Sequence, residues 1–107
     1  MAIKLRTKRP DRVLKRFVEV LKQYDAAHPQ AEIEAYRHNS VSVRIRIIDT
    51  DFEGKDYVLR EDEIWPLLKP LPDETVAELS LLLLFTPEEA KKSFANAEFD
   101  DPIPSRI

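Results

Sequence analysis

This sequence predicts an α+β domain, on three observations. Val41, Val43, Ile45 and Ile47 alternate strictly with Ser42, Arg44 and Arg46, the pattern of a half-buried strand with one arginine-bearing face. Val13, Leu14, Phe17, Val18, Val20, Leu21 and Tyr24 recur at three- and four-residue spacing, which marks an amphipathic helix. Thr86-Pro87-Glu88-Glu89 has the composition of a helix start: a capping threonine, a proline at the first helical position, and a glutamate that closes a capping box.

The remaining elements follow in chain order. Residues 1–9 read as a flexible basic arm. Pro10 suits the first turn of a helix that ends before Pro29. Ile33, Ala35 and Arg37 alternate with Glu32, Glu34 and Tyr36, which suggests a first strand. The turn residues Arg37-His38-Asn39-Ser40 then join it to the Val41–Ile47 strand as an antiparallel hairpin. Gly54, the only glycine in the chain, marks a turn needing positive φ or a close approach. A helix from Lys55 to Leu68 follows, which Pro66 and Pro70 are expected to kink or end early. Pro72 opens a short stretch through Ala77, and Leu79–Phe85 is an apolar run of strand length. The last helix is expected to reach Asn96. Residues 97–107, with Pro102 and Pro104, read as a poorly ordered tail. The predicted order is helix, strand, strand, helix, helix, strand, helix. That makes one domain over residues 10–96, a three-stranded sheet covered by helices.

Composition removes whole classes of function. At 107 residues, 43% apolar and 35% charged, the chain suits one domain with a small core and a charged surface. With no cysteine it has no disulfide, thiolate zinc site or cysteine-ligated iron–sulfur cluster of its own. One glycine excludes the dinucleotide fingerprint, the phosphate loop and the Gly-x-x-Gly nucleic-acid loop, each of which needs at least two. The N-terminus lacks a secretory h-region and no apolar run could span a bilayer, so a soluble cytoplasmic protein is expected. The net charge of −3 conceals a basic N-terminus, where Lys4, Arg6, Lys8, Arg9, Arg12, Lys15 and Arg16 face only Asp11.

Few side chains are placed for chemistry. Asp49, Asp51, Glu53 and Gly54 match the first half of a calcium loop. Its twelfth position, however, is Arg60 instead of a bidentate glutamate. His28, beside Pro29, reads as an exposed residue or helix cap. His38 lies in the hairpin turn, and no spacing supports a Ser/His/Asp triad. Glu61, Asp62 and Glu63 are consecutive and so do not share a helix face. Tyr57, Glu61 and Trp65 do, at four-residue steps, which suits core packing with a rim or a partner surface with aromatic anchors.

Taken together, Tyr36-Arg37-His38-Asn39, the strand to Ile48, Phe52-Glu53-Gly54-Lys55, Val58-x-Arg60, Ile64-Trp65 and Phe85-Thr86-Pro87-Glu88-Glu89 resemble the BolA family. The resemblance covers roughly residues 12–92. It implies a small BolA-like, KH-like α-β-β-α-α-β-α domain without enzymatic activity. Family members pair with monothiol glutaredoxins and share a [2Fe–2S] cluster, and some have been proposed to bind DNA. Two departures bear on the cluster. The position of the ligating histidine after the block's arginine is Glu61. The ligand-bearing loop between the first two strands is shortened to the link from His38 to Val41. A carboxylate is a poor substitute for imidazole on an iron–sulfur centre, and His38 alone cannot rebuild the site.

The sequence therefore leads to an interaction or adapter domain with no catalytic residues, no cofactor and no metal. A protein partner, a monothiol glutaredoxin by resemblance, is expected to dock around Gly54, Tyr57, Arg60, Glu61 and Trp65. The alternative is nucleic-acid binding through Lys8, Arg9, Arg12, Arg37, Arg44 and Arg46, which the acidic balance of the chain disfavours. An enzyme built on Glu61 or His38 has no support from spacing.

Overall fold

Strict alternation places Val43, Ile45 and Ile47 of the strand Ser42–Ile48 on one sheet face, where all three are fully buried. The structure, a computed structural model, describes residues 3–102. Its strands are β1 (Ile3–Leu5), β2 (Glu32–Asn39), β3 (Ser42–Ile48) and β4 (Leu79–Phe85). Its α-helices are α1 (Arg12–Ala27), α2 (Tyr57–Leu68), α3 (Asp73–Val76), α4 (Pro87–Lys92) and α5 (Phe94–Asp100). A single 3₁₀ turn, Thr50–Phe52, follows β3.

The sheet order is β1-β2-β3-β4. The central pair is the expected antiparallel hairpin, with Ile33 opposite Ile47 and Ala35 opposite Ile45. β4 runs parallel to β3 and β1 parallel to β2. Parallel neighbours need a crossover, and helices supply both: α1 between β1 and β2, α2 and α3 between β3 and β4. Leu14, Phe17, Leu21 and Tyr24 of α1, with Ile64 and Leu68 of α2, close over Ile33, Ala35, Val43, Ile45, Ile47 and Leu84. Asp11 caps α1 by accepting the amide of Leu14 at 2.9 Å, so Pro10 precedes the helix instead of entering it. The helix α2 continues through Pro66 to Leu68 without an early stop.

Several expectations are corrected. The sheet has four strands, because the segment expected to be a flexible arm supplies β1. Ile3 pairs with Ile33 and Leu5 with Ala35, which covers an edge of β2 that would otherwise present unpaired backbone groups. The amide of Arg37 donates to Thr7 Oγ1 at 2.8 Å beyond the end of β1. In the hairpin, β2 extends to Asn39, whose side-chain oxygen accepts the Val41 amide, so Val41 sits in the turn and is exposed.

At the other end, α4 stops at Lys92. Ser93 caps a new helix through the amide of Asn96, and α5 extends into the segment expected to be a disordered tail. The reason is Phe99, which is fully buried on the second face of the sheet against Tyr36, with Leu83 in the same cluster. Residues 103–107 of that expected tail lie outside the described residues.

The second face is held by cations over aromatic rings. The Arg6 guanidinium lies 3.9 Å from the Tyr36 ring centre, and Arg46 lies 4.7 Å from that of Phe99. Phe99→Ala should therefore cost about 3 kcal/mol, the loss typical of truncating a buried aromatic ring. Urea denaturation measures it, and a loss below about 0.5 kcal/mol, the range of an unremarkable surface substitution, would show that α5 is not part of the folded unit.

Candidate functional site

The turn that leads from the sheet to α2 is set by Gly54, whose φ is 77°. A Cβ at this position would meet nothing within 4 Å. Handedness of the backbone, not crowding, requires glycine here. Asp56 then caps α2 by accepting the Leu59 amide at 3.0 Å.

From that start α2 divides its side chains. Arg60, Ile64 and Leu68 turn inward. Arg60 is only 7% exposed. Its Nε donates to the carbonyl of Lys55 and its Nη1 to that of Leu84, both at 2.9 Å. Nη1 and Nη2 also grip the two carboxylate oxygens of Glu89 at 2.5 and 3.0 Å. Two residues back along β4, the carbonyl of Leu82 accepts the Tyr57 hydroxyl. Tyr57 and Arg60 thus cover alternate carbonyls on the outer edge of β4. The same Glu89 carboxylate completes the capping box of α4, accepting the Thr86 amide while Thr86 Oγ1 accepts the Glu89 amide.

The outward side of α2 is apolar to an unusual degree. Val58 is 64% exposed, Leu59 51% and Trp65 39%. Tyr57, Glu61 and Trp65 share a side as their spacing predicts, and Trp65 Nε1 points to Glu61 Oε2 at 3.4 Å. Beyond Trp65 the surface falls into a groove of about 710 Å³ between α2 and α3, lined by Asp62, Trp65, Pro66, Leu71, Val76 and Ala77. Of the residues expected to meet a partner, Tyr57, Glu61 and Trp65 are brought together at the surface. Arg60 is not among them, because its guanidinium is committed to the fold. Sequence reasoning missed Val58, Leu59 and the groove. The signal available was the run Tyr57-Val58-Leu59, since three consecutive residues of a helix cannot all face one core.

The basic residues divide as sharply. Lys8, Arg9 and Arg12 are exposed. Arg37 pairs with Asp11 at 2.8 Å and Glu78 at 2.9 Å. Arg44 holds both carboxylate oxygens of Glu98, at 2.7 and 2.8 Å. Arg46 reaches Glu34 at 3.0 Å, and Asn96 and Asp100 at 2.7 Å. The arginine-bearing strand face is therefore neutralised by the protein's own carboxylates and covered by α5. Of the two parts of the expected nucleic-acid surface, only the N-terminal one keeps unpaired positive charge at the surface among the described residues.

His38 makes an edge contact with the Tyr36 ring, and Glu61 lies on the outward side of α2 beside Trp65. The histidine that does meet carboxylates is His28, beside Asp49 and Asp51.

No protein-family model matches this chain, and no curated protein does. Among solved structures the chain is similar to the BolA domain of SufE1 from Arabidopsis thaliana, at 25% identity over 69% of this chain and 94% of that one, with a TM-score of 0.49. The fold as described rests on this chain's own strand order and pairing.

The Arg60 grip holds the Glu89 carboxyl down at about 2, below its ordinary value of 4.5. A group held lower in the folded than in the unfolded chain stabilises the fold above the unfolded value and loses that contribution as pH falls. Acid titration of stability should therefore show the wild-type protein losing more between pH 4.5 and 2 than Glu89→Gln does. Equal losses would show that the pair is not coupled to folding. Arg60→Met should cost about 2–3 kcal/mol in denaturant unfolding at pH 7, since it removes charge-assisted hydrogen bonds and leaves the Leu84 carbonyl unpaired.

Proposed function

We propose that this chain is a non-enzymatic interaction domain that binds a protein partner through the outward side of α2 and the adjoining α2–α3 groove. The observation that carries the reading is the apolar surface of Val58, Leu59 and Trp65, exposed on a helix whose other side is fastened to β4 and α4. Large apolar side chains on a rigid helix, next to a groove, are the anchors that protein interfaces use. Asp62 and Glu61 give this surface a polar border suited to positioning a partner. The resemblance to BolA proteins supplies the candidate partner, a monothiol glutaredoxin. No cluster forms part of the proposal, because Glu61 offers a hard oxygen where soft iron–sulfur chemistry asks for imidazole or thiolate.

Backbone amide shifts of the labelled domain, followed during titration with a monothiol glutaredoxin, test this reading. Shifts should concentrate at residues 57–66 and 71–77 and spare 42–48. Val58→Glu should weaken binding at least tenfold, with thermal stability unchanged because Val58 packs against little. Absence of shifts on α2 at saturating partner removes glutaredoxin as the candidate. Normal binding by Val58→Glu overturns the assigned surface.

A further inference from the structure

The turn after β3 and the exit of α1 bring together side chains that are distant in sequence. His28 Nδ1 lies 2.8 Å from Asp51 Oδ2 and 3.2 Å from Asp49 Oδ2. Asp49 is only 1% exposed, and its one ion-pair partner among the described residues is His28. Its other partners are neutral: the Tyr24 hydroxyl, Gln30 Nε2 at 2.8 Å, and the Asp51 amide at 2.9 Å. Two carboxylates, one of them buried, thus converge on one imidazole nitrogen. The Asp49 carboxylate is buried, and a buried negative charge calls for a compensating cation.

The geometry points to a binding site for a divalent first-row transition-metal ion, held by His28 Nδ1 and one carboxylate oxygen each from Asp49 and Asp51. The donor set is mixed, one imidazole with two carboxylates, which suits zinc and its neighbours better than calcium. Ligand atoms about 2.1 Å from such an ion stand roughly 3.0–3.4 Å apart. The nitrogen–oxygen separations lie close to that spacing, and all three ligand atoms fall within 4.8 Å of one another.

The surrounding shell is in place. The His28 ring stacks on Tyr24 with centres 4.0 Å apart and planes 8° from parallel, which fixes its direction. Tyr24 and Gln30 orient the carboxylates by hydrogen bonding, as outer-shell partners do at metal centres. Asp51 is half exposed, so the ligand cluster is open to solvent on that side. On binding, Nδ1 gives up its proton, to solvent from the imidazolium or to Nε2 from the neutral ring, and no other bond changes.

Calorimetric titration of the tag-free, metal-stripped protein with zinc alone tests the site. One ion per chain should bind, and His28→Gln and Asp51→Asn should each weaken it tenfold or more, whereas His38→Gln should leave it unchanged. His28 and Asp51 both reach the surface, so these variants should keep the circular dichroism of the parent. No binding up to millimolar zinc overturns the proposal. Equal binding by all three variants, or calcium binding more tightly than zinc, does so too.

Discussion

One guanidinium fixes the side of the molecule on which function is proposed. Arg60 leaves α2, passes below the turn at Gly54, and spends its donors on the Lys55 carbonyl, the end of β4 and the Glu89 carboxylate at the start of α4. A charged group is costly to bury unless it is fully paired, and once paired it tolerates little rearrangement. α2 therefore cannot roll about its axis to hide Val58, Leu59 and Trp65. Their exposure follows from the anchoring of the residue between them. Tyr57 strengthens the arrangement by closing the next carbonyl along the β4 edge.

A second set of arginines does comparable work on the far face of the sheet. Arg6, Arg44 and Arg46 are gathered by Glu34, Glu98 and Asp100, and Arg6 and Arg46 lie against the rings of Tyr36 and Phe99. The long side chains cover apolar surface with their stems while their charges are met by carboxylates. The face that alternation reveals as arginine-bearing is thus an internal seam between the sheet and α5. Lys8, Arg9 and Arg12 keep their exposure, apart from the arginines of that seam.

What the sequence reveals and what it conceals follow from the range of the forces involved. α1, β3 and the capping box at Thr86 are legible because each is written in local spacing: period 3.6, period 2, and a four-residue cap. β1 is only three residues long, below what any periodicity can register, and it exists because β2 offers an edge. In α5, Phe94 and Phe99 look alike in sequence, yet Phe94 is exposed and Phe99 is made a core residue by Tyr36, Arg46 and Arg6. The same holds at the site. Tyr57, Glu61 and Trp65 are legible at four-residue steps, whereas the inward turn of Arg60 depends on Glu89, 29 residues further on. His28 looks inert beside Pro29, and Asp49 and Asp51 look like half of a failed calcium loop. Folding places the histidine where that loop lacks its remaining ligands.

We propose that a partner meets the outward side of α2, held in position by Arg60, and not the arginine face of the sheet. Hydrogen exchange of the domain, alone and in complex with a partner purified with it from its native cell, decides between the two surfaces. Binding should slow exchange across α2 and the α2–α3 groove and leave β3 and α5 unchanged. Slowed exchange confined to β3, α5 and the basic N-terminal segment would contradict it.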